Sequence, residues 1–153
     1  MGGKYKKIKP YELTEQELRE IWHSTYCAGN VTIFTLDGVL VKFYEDQFDH
    51  CFYESANRKQ RDKSILSLNR LEKIYWIKDT LEDPEAILKS GWLRDKQTYN
   101  HSRRLALVKE NYVVIIRFIK AERAKFVTAY EINDDESLEK INESPDWKNP
   151  YKK

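Results

Sequence analysis

Two β-rich runs near the end of the chain constrain its fold most. The first is Tyr112-Val113-Val114-Ile115-Ile116-Arg117-Phe118-Ile119. The second is Ala124-Lys125-Phe126-Val127-Thr128-Ala129-Tyr130-Glu131-Ile132, and only Lys120-Ala121-Glu122-Arg123 lies between them. β-Branched and aromatic residues dominate both, and the polar linker is short enough for a hairpin. Tyr112 to Ile119 is almost continuously apolar, as expected of a strand covered on both faces. Arg117 is the exception, and its charge must reach an edge, a groove or an acidic partner. Strict alternation in the second run puts Phe126, Thr128, Tyr130 and Ile132 on one face, and Lys125, Val127, Ala129 and Glu131 on the other. Small Val127 and Ala129 suit a closely packed helix, leaving the hydroxyls of Thr128 and Tyr130 side by side on the opposite surface.

Upstream, Thr14-Glu15-Gln16-Glu17 is a capping box, followed by Leu18, Ile21, Trp22 and Tyr26 at helical spacing, with Ala28-Gly29-Asn30 as the stop. Val31 to Thr35 and Val39 to Phe43 flank Leu36-Asp37-Gly38, a strong hairpin signal. Tyr44 to Glu54 reads as a short helix or an irregular connection, and Ser55 to Lys63 as an exposed loop. From Ser67, residues Leu68, Leu71, Ile74, Tyr75, Ile77 and Leu81 form a broad apolar stripe, predicting the main helix against the sheet. Asp83-Pro84 predicts an N-cap and first-turn proline for a short helix through Lys89. Trp92 to Ser102 reads as a loop carrying Tyr99, Asn100 and His101. A strand at Arg103 to Val108 then turns through Lys109-Glu110-Asn111 into the first β-rich run, and a last helix falls near Glu136–Asn142.

The expected fold is therefore α+β: N-terminal helices packed on a mainly antiparallel sheet of four to five strands, ending in a β-meander. The 153 residues fit one domain, with a core over about residues 11–133 and a polar extension over 134–153.

Charge and cysteine usage narrow the function. The formal charge of +2 is too small for the overall field to hold a polyanion, so nucleic-acid affinity would need a local basic patch. Lys4, Lys6, Lys7 and Lys9 form one cluster, best read as a solvated terminus, and Arg103 with Arg104 another. Cys27 and Cys51 make neither a disulfide framework nor a zinc pattern. No apolar run approaches the ~18 residues of a membrane span, and no hydrophobic signal core follows the basic start, so a cytoplasmic location is expected. The five glycines make no phosphate loop or nucleophile elbow, and no metal-ligand spacing or cofactor fingerprint is present.

What remains is an inventory for metal-independent acid–base chemistry. Cleaving RNA through its own 2′-hydroxyl needs a base at that oxygen, cations at the phosphate and an acid for the leaving oxygen. Histidine suits the proton transfers, arginine the phosphate, and threonine or tyrosine a hydrogen bond to a phosphoryl oxygen. His50, Arg103, Arg117, Thr128 and Tyr130 supply these groups, with Tyr99, Asn100 and His101 as loop candidates for binding. Each has an ordinary explanation too: a packed surface histidine, strand propensity, a structural ion pair, a turn.

Three elements occur in order: Phe48-Asp49-His50-Cys51-Phe52-Tyr53; Arg70-Leu71-Glu72-Lys73-Ile74-Tyr75-Trp76-Ile77-Lys78 with Leu81-Glu82-Asp83-Pro84; and Phe126-Val127-Thr128-Ala129-Tyr130. Together they resemble phage-borne proteins of the barnase–EndoU–colicin–RelE-like (BECR) nuclease superfamily, over about residues 31–132 of this chain. The resemblance implies helices against a four-stranded antiparallel sheet and metal-independent, cofactor-free cleavage of RNA, with tRNA among the candidate substrates. It implies catalytic roles for His50 and the Thr128 hydroxyl, with Tyr130 beside it, and a sheet cation for which Arg103 and Arg117 both qualify. His101 stands as the alternative to His50. An immunity or antitoxin protein would be a further partner. The competing expectation is a non-catalytic module that binds nucleic acid or protein on the same sheet.

Overall fold

The computed structural model describes residues 5–54, 65–89, 92–93, 98–99 and 104–143, with the backbone alone for 54, 65, 92, 93, 98 and 99. Five helices are α1 (Glu15–Trp22), α2 (Gln47–Phe52), α3 (Leu68–Leu71), α4 (Trp76–Glu82) and α5 (Asp135–Glu143). The strands are β1 (Ile33–Phe34), β2 (Leu40–Lys42), β3 (Tyr53–Glu54), β4 (Ile65–Leu66), β5 (Ile87–Lys89), β6 (Trp92–Leu93), β7 (Thr98–Tyr99), β8 (Arg104–Lys109), β9 (Tyr112–Lys120) and β10 (Arg123–Glu131). The fold is α+β, and its main sheet has the order β1-β2-β10-β9-β8-β5.

The expected meander is present as β8, β9 and β10, all antiparallel. The sheet nevertheless has six strands rather than four or five, and β2 joins β10 in parallel. That mixed geometry arises because the hairpin around Asp37-Gly38, with Gly38 at φ +88°, docks whole onto the free edge of β10.

The inner sheet face carries the larger core. Leu105 and Leu107 of β8, Val114, Ile116 and Phe118 of β9, and Ala124, Phe126 and Ala129 of β10 are buried there beneath the helices. Trp22 from α1 is its hub. Its ring lies 4.8 Å from Tyr26, 5.5 Å from Phe52 and 5.7 Å from Phe126, while its Nε1 donates to the Tyr44 carbonyl at 3.0 Å. Thr14 caps α1 through the expected reciprocal bonds with Glu17.

Two predicted helices come out differently. The stripe from Ser67 to Leu81 is not one helix: α3 ends at Leu71 and α4 begins at Trp76. The break has a visible cause. The Tyr26 hydroxyl donates to the Ile74 carbonyl and accepts from the Lys78 amide at 3.0 Å, so it stands between the two groups that an unbroken helix would join. The predicted helix after Asp83-Pro84 is instead the strand β5, antiparallel to β8. Asp83 accepts from the Glu85 amide at 2.8 Å, two residues on, making a turn rather than a helical cap. That bond, with another from the Tyr5 hydroxyl, holds the Asp83 carboxyl below the usual carboxylate range. The edge of β8 offers the segment beyond it a ready ladder, and Ile87 to Lys89 pair there with Val108 to Ala106. Within the expected loop 92–102, β6 and β7 form a short hairpin.

The outer sheet face is divided. At one end α5 packs Leu138 and Ile141 against Ala106, Val108, Val113 and Ile132, with Ile115 and Tyr130 alongside. The other end is left uncovered by the described residues, with Arg117 and Lys125 exposed.

Candidate functional site: a cation row on the open half of the sheet

A bulge decides what the open face carries. In β10 the pairing to β9 runs Lys125↔Arg117 and Phe126↔Ile116, then resumes at Thr128↔Ile115, so Val127 and Thr128 together oppose one residue. Strict alternation would keep Phe126 with Thr128 and Tyr130. Instead Phe126 is buried in the inner core, while Thr128 and Tyr130 join Lys125 on the outer face.

Register then aligns the charges. Arg104 of β8 pairs with Arg117 of β9, and Arg117 pairs with Lys125 of β10. Three cations therefore stand side by side across adjacent strands, about 4.8 Å apart at the backbone. Arg117 and Lys125 are exposed and Arg104 is half-buried. Like charges directly opposite one another cost roughly 0.2–1 kcal/mol per pair. Among the described residues none of the three forms an ion pair, although Arg19, Lys73, Lys78 and Lys109 all do. Lys73 makes the contrast plainest. Its side chain is 4% exposed, and its Nζ lies 3.2 Å from Glu72 and 3.3 Å from Glu131.

Helix α2 brings the histidine. Strand β2 pairs with β10 only as far as Lys125, leaving the rest of that edge unpaired by a strand. There α2 takes over: the Gln47 side-chain amide donates to the Phe126 carbonyl, and the Cys51 thiol to that of Ala129 at 3.9 Å. Phe48, Cys51 and Phe52 point into the core, so His50 is turned to solvent. The result is a groove of about 240 Å³ lined by Gln47, His50, Arg104, Arg117, Lys125, Phe126 and Val127. It joins one imidazole to three cations that no described residue neutralises, a donor set suited to a phosphodiester.

Of the residues singled out from sequence, His50 and Arg117 meet in this groove. Thr128 is half-buried on the same face, opposite Ile115, two residues along β9 from Arg117; it does not line the groove. Tyr130 packs at the α5 end with Val113 and also borders a small cavity beside Arg70 and Lys73. Arg103, Asn100 and His101 lie outside the described residues, as does the side chain of Tyr99.

Sequence reasoning noted Arg104 only as half of a basic pair, chose Arg103 instead, and missed Lys125 and Gln47 as groove residues. A usable signal existed for Arg104. A two-residue turn at Glu110-Asn111, where Glu110 adopts φ +55°, pairs Lys109 with Tyr112 and hence Arg104 with Arg117. Lys125 needed the register of β10, which shifts between Arg123 and Ala124 and again at Val127.

Among the described residues no cluster of three or more His, Cys, Asp or Glu side chains is placed to hold a metal ion. No described helix is long and apolar enough to cross a membrane. Compared with protein-family models, curated proteins and solved structures, the chain matches none.

Proposed function

We propose that the open sheet face binds the phosphodiester backbone of RNA and that the protein is a metal-independent endoribonuclease. One observation carries this reading: three cations, without an ion pair among the described residues, aligned by register across β8, β9 and β10, with His50 on the wall of the same groove. Arg117 and Arg104 would grip the non-bridging oxygens, Arg117 with its planar fork. His50 would take the proton from the 2′-hydroxyl as that oxygen attacks phosphorus. The P–O5′ bond then breaks, giving a 2′,3′-cyclic phosphate and a 5′-oxyanion, which takes a proton from water to become the 5′-hydroxyl. Lys125 would offset charge developing on the phosphoryl oxygens. Thr128, turned to this face by the bulge but outside the groove, would donate a hydrogen bond to the neighbouring part of the same RNA strand.

Purified protein incubated with total RNA in EDTA should generate fragments ending in cyclic phosphate. RNA still intact after hours at high protein concentration removes the cleavage reading. A second reading has its own support. Among the groove's described lining residues His50 is the only histidine, and no carboxylate or tyrosine stands with it, so they include no partner for a second proton transfer. On that reading the face binds RNA without cutting it. RNA retention by both wild type and His50→Ala, with no products from either, would select it.

A further inference from the structure

The cation row does not stop at Lys125. Strand β2 pairs in parallel with β10 through Lys125↔Lys42, and Lys42 is exposed between buried Val41 and Phe43. Lys42 therefore stands on the same face as Lys125, one strand further on, and among the described residues it too forms no ion pair. The row is Arg104–Arg117–Lys125–Lys42, spanning three inter-strand steps of ~4.8 Å, or about 14 Å. Sheet twist turns each step by roughly 20–25°, so the row winds around the sheet instead of lying flat.

Large apolar side chains are exposed beside its far end. Phe34 of β1 pairs with Leu40 of β2 and shares that outer face; it is 48% exposed. Tyr44, two residues beyond Lys42, is 43% exposed. An aromatic ring left in water next to an unpaired lysine offers a base a stacking surface while its phosphate meets the charge. A duplex would present two backbones separated by a groove, and would call for two separated lines of cations. One winding line fits one strand.

We infer that the site takes single-stranded RNA laid across the β-strands, its phosphates following Arg104, Arg117, Lys125 and Lys42, and its bases stacking on Phe34 and Tyr44 beyond the groove. This rests on the RNA reading above and extends it to a substrate class and a direction.

The experiment is fluorescence anisotropy with a labelled 12-nucleotide 2′-O-methyl single strand, which cannot be cleaved through its blocked 2′-oxygen, and with a fully paired duplex of the same sequence. The single strand should bind at least tenfold tighter than the duplex. Its log K against log salt should slope at about −2 to −3, from roughly 0.7 per neutralised phosphate. Lys42→Gln should reduce that slope by about 0.7, and Phe34→Ala should weaken binding about 5- to 100-fold. Lys6→Gln, an exposed cation away from the row, should match wild type and serves as the charge control. Circular dichroism of each variant establishes that it is folded. Wild-type behaviour of both Lys42→Gln and Phe34→Ala, alongside lost binding in Arg117→Gln, overturns the extension and leaves the groove reading intact. Duplex binding equal to single-strand binding also overturns it. No RNA binding by the wild type, or displacement of RNA by an equal concentration of a 12-residue polyglutamate, sinks the RNA reading itself.

Discussion

The two ends of the outer sheet face are built from the same three strands and meet opposite fates. Toward one end the cross-strand positions are Ala106, Val108 and Val113, and α5 covers them with Leu138 and Ile141. Toward the other they are Arg104, Arg117 and Lys125, and nothing among the described residues covers them. Burying even one unpaired cation costs several kcal/mol, more than an added turn of amphipathic helix can return in apolar contact. The charge row therefore sets where cover can end. A cation can be buried in this protein, as Lys73 shows, but only with two carboxylates beside it. Among the described residues the open row has no such partners, and an RNA backbone would supply negative charge in their place.

The sharpest way to break this contrast is at the groove wall. His50→Ala should lower RNA cleavage about 10²- to 10⁴-fold, the usual contribution of a positioned acid–base group, with the thermal midpoint unchanged because the ring is exposed. Cleavage at the wild-type rate would strip the open end of its chemistry. At the covered end, Ile141→Ala should cost about 2 kcal/mol or more in urea unfolding through lost burial and the cavity left behind. An unchanged midpoint would mean that α5 does not seal the sheet.

Arg117→Gln distinguishes a working cation from a structural one. It should weaken RNA binding about tenfold, through loss of a charge-assisted hydrogen bond, while raising stability by roughly 0.4–2 kcal/mol as two like-charge contacts are relieved. A drop in stability would point to an ion pair and against a phosphate site. The smallest effect is expected at Thr128→Val. Losing one neutral hydrogen bond there should slow cleavage a few-fold to about tenfold, with little change in binding. A loss as large as that of His50→Ala would promote the hydroxyl to a principal catalytic group.

Much of this was legible in the chain. The capping box at Thr14, the Asp37-Gly38 hairpin and the paired β-rich runs each depend on residues within a few positions of one another, so local sterics and hydrogen bonding decide them. His50 and Arg117 were recognisable as candidates because their charge or chemistry conflicts with an apolar setting. The broken helix was not legible, because it depends on a hydroxyl from Tyr26, 48 residues before Ile74. Nor was the strand after Asp83, whose conformation is chosen by the waiting edge of β8.

By itself the sequence determined most of the helix and strand segments, the tight turns between neighbouring strands, and an inventory of imidazole, guanidinium and hydroxyl groups. Tertiary structure alone decided which of those groups share a surface. A side chain in a strand changes face with every residue, so one bulge at Val127 and one register shift at Ala124 reassign everything beyond them. The docking of β2 and α2 along a single edge then set Lys42 and His50 beside the row. Those are contacts between segments far apart in the chain, and long-range packing energy, rather than local preference, selects them.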